Sequence, residues 1–439
     1  MTSESELAAK IASRNACVGV IGLGYVGLPL ACTVARVGFQ VLGFDVDQGK
    51  LASLKRGQLY IKSLPDHIFA KAEGRLQVVS AFTELAKADI LVVCVPTPLT
   101  RDSEPDLSHV HVAAQQISEI LHAGQLVILE STVYPGGTRD VFVPVVSQRG
   151  LELGRDVFVA FSPEREDPGN LVYHLGNTPK VVAGLEPHSL GLAARFYSWF
   201  VPEVIPVSST EVAETSKLLE NTYRAVNIAL VNELKRISDR LNINVWEVIE
   251  AAKSKPFGFQ AFYPGPGVGG HCIPVDPHYL IWAAQKHGVD SPLVRLAQEV
   301  NAGMPAFVVQ KIQQALANRR QALSGSSILL LGMAYKRDIA DARGSPGAEI
   351  YRLLAEQGAR VDYHDPHVPQ FTLADKQHRV VLASVPLTEK TLSHYHAVVI
   401  VTDHSDYDWD WIVAHSAMVV DTRNATKEVF RFRERIVLA

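Results

Sequence analysis

Cysteine is scarce in this chain, and long apolar runs are missing from it. The 439 residues include four cysteines, Cys17, Cys32, Cys94 and Cys272, and no two of them form a C-x-x-C pair. This spacing argues against a disulfide framework and against a zinc site. No apolar run approaches the roughly 18–20 residues of a membrane span, and the polar, acidic N-terminus is unlike a secretory signal. We therefore expect a cytoplasmic protein.

An excess of charge of either sign is also missing. The chain has 42 Lys and Arg against 46 Asp and Glu, a formal net charge of -4. This balance argues against nucleic acid and membrane surfaces as partners. The 47% hydrophobic and 20% charged composition is that of a globular protein. At roughly 150 residues per domain, the length predicts about three domains.

The first half of the chain alternates short β-branched runs with helical stretches. This pattern is typical of a parallel sheet covered by helices, and we assign residues 1–207 to such a domain. The predicted strands are Cys17–Ile21, Gln40–Phe44, Ile90–Val95, Leu126–Leu129, Val157–Phe161 and Lys180–Val182.

A long helix is predicted to follow. Ser208 and Glu211 have the spacing of a capping box, and no Gly or Pro interrupts the chain from there to Leu241. Apolar residues recur every three or four positions, which predicts one helix of about 30 residues, about 45 Å long. A single domain does not need such length. The helix is either a spine joining two domains or a dimer surface, within a central helical region at residues 208–318.

A second, smaller α/β domain is predicted at residues 319–439. Its strands are Ile328–Leu331, Arg360–Tyr363, Ala397–Thr402 and Met418–Val420. Helix Ser345–Gln357 is closed by Gly358.

A glycine-rich turn joins the first strand to its helix. Gly22-Leu-Gly24-Tyr-Val-Gly27 follows a strand and opens a helix, and Asp45 stands about 18 residues after the last glycine. These features indicate a dinucleotide site, in which Gly24 lets the pyrophosphate approach and Asp45 binds the adenosine ribose. Asp45 would repel a 2′-phosphate, and no Arg or Lys stands at 46 or 47, so NAD is favoured over NADP. The alternative is that the glycines serve packing alone.

Cys272 differs from the other cysteines in its surroundings. It lies in the glycine-dense segment Gly265–Asp276, ahead of a predicted helix at Tyr279–Lys286. A helix N-terminus lowers a thiol pKa, which favours a catalytic role for Cys272. The neighbouring His271 is a candidate base for Cys272. The alternative is that His271 is a structural hydrogen-bonding residue. The other three cysteines stand in apolar contexts that indicate buried filling.

Further polar residues lie where a ligand crevice is expected. Lys217 and Asn221 are four residues apart on the long helix and therefore share one face of it, with Glu214 beside them. Taken alone, this polar face favours a helix surface exposed to solvent. Thr132 and Glu164 each follow a hydrophobic strand, and the carboxyl ends of parallel strands line the crevice of an open α/β sheet. Turn formation explains some of these residues equally well.

Taken together, the motifs resemble the UDP-glucose/GDP-mannose dehydrogenase family over nearly the whole chain. The resemblance rests on GLGYVGLPL, VPTP, ESTVYPG, SPER, AETSKLLENTYRAVNIALVNE, GPGVGGHCIPVDP and LGMAYKRDIADARGSP. It implies an α/β fold with an N-terminal Rossmann domain, a long central helix with a helical linker region, and a smaller Rossmann-like C-terminal domain that binds UDP-sugar. The GGHCIPVDP form and SPEREDPGN are most similar to the bacterial branch that acts on UDP-N-acetylhexosamines.

The resemblance also implies a reaction. Family members oxidise C6 of the sugar from alcohol to acid with two NAD, through a cysteine thiohemiacetal and thioester. The uronic acid would feed surface polysaccharides such as O-antigen or capsule. The implied assembly is a homodimer or a higher homo-oligomer, and no metal is implied.

Residue by residue, the resemblance implies three groups of roles. The catalytic residues are Cys272 as nucleophile, Lys217 and Asn221 for the oxyanion, Glu164 and Thr132 for water, and Asp276 near the thiol. The cofactor-binding residues are Gly22, Gly24, Tyr25, Val26, Gly27, Asp45, Thr97, Glu130, Thr132 and Arg343. The substrate-binding residues are Glu164, Arg165, Lys217, Asn221, Gly269 and Lys336.

The chain departs from the pattern of the family, and at position 275 from that of its UDP-glucose enzymes, at three positions in all. Val275 replaces a usual lysine, Pro168 a frequent glutamate, and Gly344 a frequent glutamate of the R-x-SP motif. The first two favour a 2-acetamido sugar, UDP-N-acetylglucosamine above all, with UDP-N-acetylgalactosamine and UDP-glucose as alternatives. Two functions of other classes remain as rivals: a two-electron Rossmann dehydrogenase of the hydroxyacid or 6-phosphogluconate type, and a non-enzymatic NAD-binding protein.

Overall fold

The computed structural model describes residues 2–61, 66–72, 74–167, 169–170, 172–374 and 379–439. They form two compact units. The first unit contains the chain up to Glu220 and His278–Asp290, and the second contains Asn221–Pro277 and Ser291–Ala439. No helix among the described residues is both long and apolar enough to cross a membrane.

One eight-stranded sheet organises the first unit. Its strands are β1 (Cys17–Ile21), β2 (Gln40–Phe44), β3 (Leu76–Val78), β4 (Ile90–Val93), β5 (Gln125–Leu129), β6 (Val157–Phe161), β7 (Lys180–Gly184) and β8 (Val204–Pro206). The spatial order is β3-β2-β1-β4-β5-β6-β7-β8, with β7 antiparallel to β6 and the other pairs parallel. The order reverses between β1 and β4, where doubly wound sheets bind nucleotides.

Helices of the described part of the chain accompany this sheet. They are α1 (Ser3–Ser13), α2 (Gly27–Arg36), α3 (Gln48–Lys55), α4 (Asp66–Ala72), α5 (Ser108–Ile120), α6 (Gly137–Gln148) and α7 (Pro187–Tyr197). The strand β4 reads Ile-Leu-Val-Val and is buried at every position. Such continuous burial is typical of a parallel strand that is covered on both faces. The Rossmann architecture predicted for this part of the chain is confirmed.

The predicted long helix is present as α8 (Thr210–Arg240), 31 residues in length. Its N-terminal acceptor is Ser209, which takes a hydrogen bond from Val212 N at 3.3 Å, so the prediction of Ser208 as the cap is wrong by one residue. The reason is that the helix begins at Thr210, which makes Ser209 the residue that precedes its first turn. Four more helices follow, α9 (Val245–Lys253), α10 (Asp276–Lys286), α11 (Pro292–Ala302) and α12 (Met304–Asn318).

The second unit ends in a smaller α/β fold. Its elements are β9 (Ser327–Leu331), α13 (Pro346–Glu356), β10 (Arg360–His364), β11 (Gln370–Ala374), β12 (Arg379–Ala383), α14 (Glu389–His394), β13 (Ala397–Ile400), α15 (Trp409–His415), β14 (Val419–Asp421) and β15 (Ile436–Leu438). Five parallel strands lie in the order β10-β9-β13-β14-β15, and β11 and β12 form a separate antiparallel pair. The predicted C-terminal α/β domain is confirmed.

Candidate functional site

The turn between β1 and α2 is shaped to receive a phosphate group. Gly22 has a φ of 92°, and a Cβ there would lie 2.4 Å from the Cys94 carbonyl oxygen. A Cβ on Gly27 would lie 1.9 Å from the Gly22 carbonyl oxygen, so α2 can follow β1 only with glycine there. A Cβ on Gly24 would meet no described atom within 4 Å. The turn therefore has open space at Gly24, next to a helix N-terminus, and it fits a dinucleotide pyrophosphate.

Asp45 directly follows β2 and is already held by several donors. Its carboxylate accepts hydrogen bonds from the main-chain N–H of Leu23 and of Asp47, both at 2.9 Å. It also pairs with Lys50 Nζ at 3.1 Å. Lys50 is not evident from positions 46 and 47, because α3 brings it back to Asp45 from five residues further along the chain.

Other predicted residues follow the central strands of the first unit. Thr97 comes after β4, and its carbonyl oxygen accepts a hydrogen bond from Tyr279 Oη at 3.1 Å. Glu130 directly follows β5 and is buried. Thr132 stands in the same segment, half-buried. That segment leads to α6, whose first N–H groups are held by Glu214, a cap that sequence reasoning left unassigned.

The Glu214 cap is well defined. Its two carboxylate oxygens accept from Gly136 N at 2.6 Å and from Thr138 N at 2.9 Å. A carboxylate at a helix N-terminus satisfies N–H groups that otherwise lack partners. Glu214 therefore fixes the segment that carries Thr132.

Glu164 follows β6 and contacts Lys217 of α8. Lys217 Nζ donates to the Glu164 carbonyl oxygen at 2.9 Å and lies 3.4 Å from Oε2 of its carboxylate. The neighbouring Arg165 donates to the Pro179 carbonyl at 3.0 Å and pairs with Glu220. One cavity of the first unit is lined by residues that include Val26, Glu130, Glu164, Arg165 and Lys180. Predicted cofactor and substrate residues thus share one cavity.

The protonation of Glu164 is shifted by its surroundings. Burial raises the pKa of Glu164 above its ordinary value, while the cations of Lys217 and Lys180 oppose that rise and the nearby charge of Glu130 adds to it. A carboxyl group with a raised pKa in a cleft is a candidate general base.

In the second unit, Cys272 lies four residues before the first residue of α10. The N–H groups of Val275 and Asp276 donate to its carbonyl oxygen at 3.1 and 2.8 Å, so residues 272–276 form a turn into the helix. Asp276 is buried, and its Oδ2 accepts a hydrogen bond from Asn221 Nδ2 at 2.5 Å. Asn221 and Asp276, which were predicted as site residues in separate roles, are therefore brought together beside the turn of Cys272.

The glycines ahead of Cys272 pack closely against a second segment of this unit. A Cβ on Gly269 would lie 2.7 Å from the Gly344 carbonyl oxygen and from Tyr335 Cβ. Gly270 has a φ of 86°, and its N–H donates to the Arg343 carbonyl at 3.1 Å. Protein packing thus accounts for glycine at position 269, and its predicted contact with substrate stays a prediction.

Lys336 and Arg343 belong to the segment between β9 and α13 that Gly269 and Gly270 contact. The guanidinium of Arg343 pairs with Asp341 at 2.5 Å. Partial desolvation and the charge of Arg343 lower the pKa of His271, so its imidazole is neutral near pH 7.

The other cysteines are buried or half-buried. Desolvation raises the pKa of Cys17 to about 11 and that of Cys32 to about 12, and it raises the pKa of Cys94 well above the usual range. Thiols of this kind are poor nucleophiles at neutral pH.

One group in the second unit has the composition of a metal site. Ligand atoms of Asp338, His367 and His404 lie within 4.8 Å of one another. His404 uses both ring nitrogens, since Nδ1 accepts from Asp338 N at 2.9 Å and Nε2 lies 3.2 Å from Asp365 Oδ2. The donor set therefore fits a hydrogen-bonded network rather than a metal ion.

The predicted site residues divide between the two units. The first unit holds Gly22, Gly24, Tyr25, Val26, Gly27, Asp45, Thr97, Glu130, Thr132, Glu164, Arg165 and Lys217. The second holds Asn221, Gly269, Cys272, Asp276, Lys336 and Arg343. Pro168, one of the two positions used to predict the sugar, lies outside the described residues.

Comparison with known proteins gives consistent matches along the chain. Residues 16–201 match the NAD binding domain of the UDP-glucose/GDP-mannose dehydrogenase family, residues 211–303 its central domain, and residues 329–428 its UDP binding domain.

Individual relatives cover most of the chain. A UDP-N-acetyl-D-glucosamine 6-dehydrogenase of Pseudomonas aeruginosa is 36% identical over 394 residues, 89% of this chain and 91% of its own. An NDP-N-acetyl-D-galactosaminuronic acid dehydrogenase of Ralstonia solanacearum is 34% identical over 92% of this chain and 95% of its own. A solved structure of the UDP-D-ManNAc dehydrogenase from Pyrococcus horikoshii superposes with a TM-score of 0.85 at 32% identity, over 95% of this chain and 97% of that one.

These matches decide between the function classes that the sequence left open. A two-electron dehydrogenase of the 6-phosphogluconate or hydroxyacid type ends in an all-helical domain, whereas this chain ends in a five-stranded parallel sheet. The glycine turn with open space at Gly24 fits the NAD that the first matched domain binds. The chain belongs to the UDP-glucose/GDP-mannose dehydrogenase family of NAD-dependent nucleotide-sugar dehydrogenases.

Proposed function

We propose that this protein oxidises the C6 hydroxyl of a UDP-N-acetylhexosamine, UDP-N-acetylglucosamine foremost, to the uronic acid. The observation that carries the proposal is Cys272 at the turn into α10, beside the hydrogen-bonded pair Asn221 and Asp276. Oxidation of an alcohol to an aldehyde needs no thiol, whereas oxidation of the aldehyde to an acid needs an adduct that can release a second hydride.

The reaction balances as RCH2OH + 2 NAD+ + H2O giving RCOO− + 2 NADH + 3 H+. NAD supplies the hydride acceptor for both oxidations. The thiolate of Cys272 adds to the aldehyde carbon and forms a C–S bond, which gives a thiohemiacetal. Loss of the C6 hydride turns this adduct into a thioester. Attack of water on the carbonyl carbon then breaks the C–S bond and returns the thiol.

Lys217 and Asn221 have the chemistry to stabilise the oxyanions of these steps. Each is held by a neighbour, Lys217 by Glu164 and Asn221 by Asp276. A fixed cation and a fixed amide donor lower the energy of a developing negative charge without reorganisation.

Glu164, together with Thr132, is proposed to assist the water. Because burial raises the pKa of Glu164, its carboxylate is a stronger base than an exposed glutamate. Lys217, one of the two proposed oxyanion donors, contacts the same carboxylate, so the proposed base and this donor are adjacent.

The three predicted segments retain their proposed roles. Residues 1–207 would bind NAD, residues 208–318 would carry the catalytic turn and the dimer surface, and residues 319–439 would bind the UDP-sugar through Lys336. Arg343 is proposed to reach the cofactor. Because UDP-sugars and NAD are metabolites of the cytoplasm, we infer that the enzyme acts there.

The choice of sugar rests on Val275 and on the relatives. Val275 lies in the turn between Cys272 and Asp276, where UDP-glucose enzymes have lysine. An aliphatic residue there favours an acetamido group, with discrimination worth about 1–3 kcal/mol. Relatives named for N-acetylglucosamine, N-acetylmannosamine and N-acetylgalactosaminuronic acid support the 2-acetamido class.

A substrate panel tests this proposal. We expect UDP-N-acetylglucosamine to give a higher kcat/KM with NAD than UDP-glucose, with UDP-N-acetylgalactosamine and UDP-N-acetylmannosamine as competitors in the same assay. Equal or faster turnover of UDP-glucose would contradict it.

A second copy of this chain is the proposed partner of α8. Five apolar side chains on or just after this helix are between 48% and 63% exposed: Leu219, Tyr223, Leu230, Ile237 and Leu241. Their spacing places them along one stripe, and monomeric proteins rarely leave such a stripe uncovered. Light scattering should find a dimer that Leu230→Asp dissociates, whereas Val112→Asp, at a residue of α5 that is 51% exposed, should leave it intact. A monomeric wild type would contradict this proposal.

A further inference from the structure

A buried cluster of charged and polar side chains lies next to the segment that carries Glu164. Its members are far apart in the sequence. It consists of Glu130, Lys180 and Tyr197. Because β7 runs antiparallel to β6, its first residue Lys180 lies at the end of the sheet where the carboxyl ends of β5 and β6 are found. Glu130 and Glu164 follow those two strands. The topology therefore brings a lysine from the opposite strand direction to both carboxylates.

Lys180 makes three contacts in this cluster. Its Nζ lies 3.1 Å from Glu130 Oε2, donates to the Pro163 carbonyl oxygen at 3.1 Å, and stands 5.3 Å from the centre of the Tyr197 ring. Tyr197 Oη donates to the other carboxylate oxygen of Glu130. The exposed fractions of Lys180 and Glu130 are both 2%.

The contact with Pro163 distinguishes this cluster from an ordinary buried ion pair. Pro163 immediately precedes Glu164, so the ammonium group holds the main chain at the residue before the proposed base. Lys217 holds the Glu164 carbonyl from α8 at 2.9 Å. Two lysines thus fix consecutive carbonyl groups of the segment that follows β6.

The cluster also sets the charge around Glu164. The titratable groups that face Glu164 are Lys217 on α8, Lys180 on β7, Glu130 after β5, Cys94 after β4, and Glu166 on its own segment. Lys180 and Glu130 act on Glu164 with opposite sign. Without Lys180, Lys217 alone of these two lysines would oppose the effect of the buried charge of Glu130 on Glu164.

We propose that Lys180 is a positioning residue for thioester hydrolysis, which holds the Pro163–Glu164 segment and neutralises Glu130 so that Glu164 stays in place and ionised. Tyr197 supports it by fixing Glu130. This inference rests on the proposed role of Glu164 in hydrolysis. It adds a residue that contacts neither the thiol nor the water.

The test measures the hydrolysis of the Cys272 thioester in single turnover, by intact mass, as a function of pH. Lys180→Met removes the charge and the donor, and Lys180→Arg keeps both. Lys180→Met combined with Glu130→Gln removes both charges of the pair. Lys235→Met is the matched control, because Lys235 is also buried, at 5% exposure, and pairs with Asp239 at 3.7 Å.

For Lys180→Met we expect slower hydrolysis, by about tenfold to a hundredfold. The acidic limb of the pH profile should move up by about one pH unit, because an opposite charge is lost and a like charge remains. The KM for UDP-sugar should change little. Lys180→Arg should restore the limb. The double variant should return the limb toward that of wild type but hydrolyse slowly, since the Pro163 carbonyl has lost its donor. Lys235→Met should lower the Tm without moving the limb.

Several results would overturn the inference. One such result is a folded Lys180→Met variant that hydrolyses the thioester at the wild-type rate and has the acidic limb of its pH profile at the wild-type position. If Lys180→Met does not fold, wild-type hydrolysis in the double variant would do the same. Glu164→Gln separates the two proposals. If it abolishes the limb while the Lys180 variants behave as wild type, only this inference is wrong. If it changes nothing, the proposed role of Glu164 is wrong as well.

Discussion

Lys217 Nζ donates to the main-chain oxygen of Glu164 at 2.9 Å and lies 3.4 Å from the carboxylate of the same residue. One cation therefore holds both ends of the proposed base. Its exposed side-chain fraction is 6% and that of Glu164 is 11%, so solvent screens the pair little. The proposed oxyanion donor and the proposed base are positioned by each other.

Lys217→Ala should lower kcat by roughly two to four orders of magnitude, the scale of a lost oxyanion donor and a lost charge. Steady-state NADH formation checks this expectation. Lys235→Ala provides the control, because it removes another buried lysine of α8. Comparable loss in both variants would show that general destabilisation, rather than oxyanion stabilisation, explains the effect.

Glu164→Gln should slow hydrolysis and let the thioester accumulate on Cys272, visible as a mass increase of the intact protein. In the proposed mechanism, the ionised carboxylate is the active form. Since burial raises the pKa of Glu164 above its ordinary value of 4.5, hydrolysis should decline as the pH falls through that raised value. An acidic limb that persists in Glu164→Gln would assign it to another group.

Asp45→Ala should weaken NAD binding and relax discrimination against NADP. The carboxylate that repels a 2′-phosphate is lost, and the ammonium of Lys50, now without its partner at 3.1 Å, can attract one. Asp45→Ala combined with Lys50→Ala should lose NAD affinity without gaining NADP use. Initial rates with both cofactors check these expectations. Comparable use of NADP by the wild type would contradict the assignment.

Much of the fold is readable in the sequence because its signals are local. The alternation of β-branched runs with glycine and proline predicted the central strands of the first sheet to within about two residues. The absence of Gly and Pro predicted α8. The helix α1, the hairpin of β11 and β12, and the edge strand β15 were not predicted, since they lack a distinctive turn or period.

The site was less predictable, because its contacts join distant residues. The motif positions around Asp45 gave no sign of Lys50, which α3 folds back. Lys180 reads as an ordinary strand residue, and its place beside Glu130 depends on the reversed direction of β7. In the sequence, Gly269 looks like a glycine that lets a ligand approach the main chain. In the structure, the absence of a Cβ at this position makes room for Tyr335 and Gly344. Only tertiary structure supplies these relationships.

Cys272→Ser should stall on a covalent sugar ester, because an alkoxide leaves from an ester far less readily than a thiolate leaves from a thioester. Intact mass of the variant, incubated with UDP-N-acetylglucosamine and NAD, should show the added sugar nucleotide. A Cys272→Ser enzyme that turns over at the wild-type rate would contradict this expectation.

The ratio of NADH formed to UDP-sugar consumed tests the central claim most directly, in the wild type and in Cys272→Ala. We expect two NADH per sugar for the wild type. We expect Cys272→Ala to lose this ratio, because it has no thiol to capture the aldehyde. One NADH per sugar in the wild type, or two per sugar at nearly wild-type rate in Cys272→Ala, would contradict it.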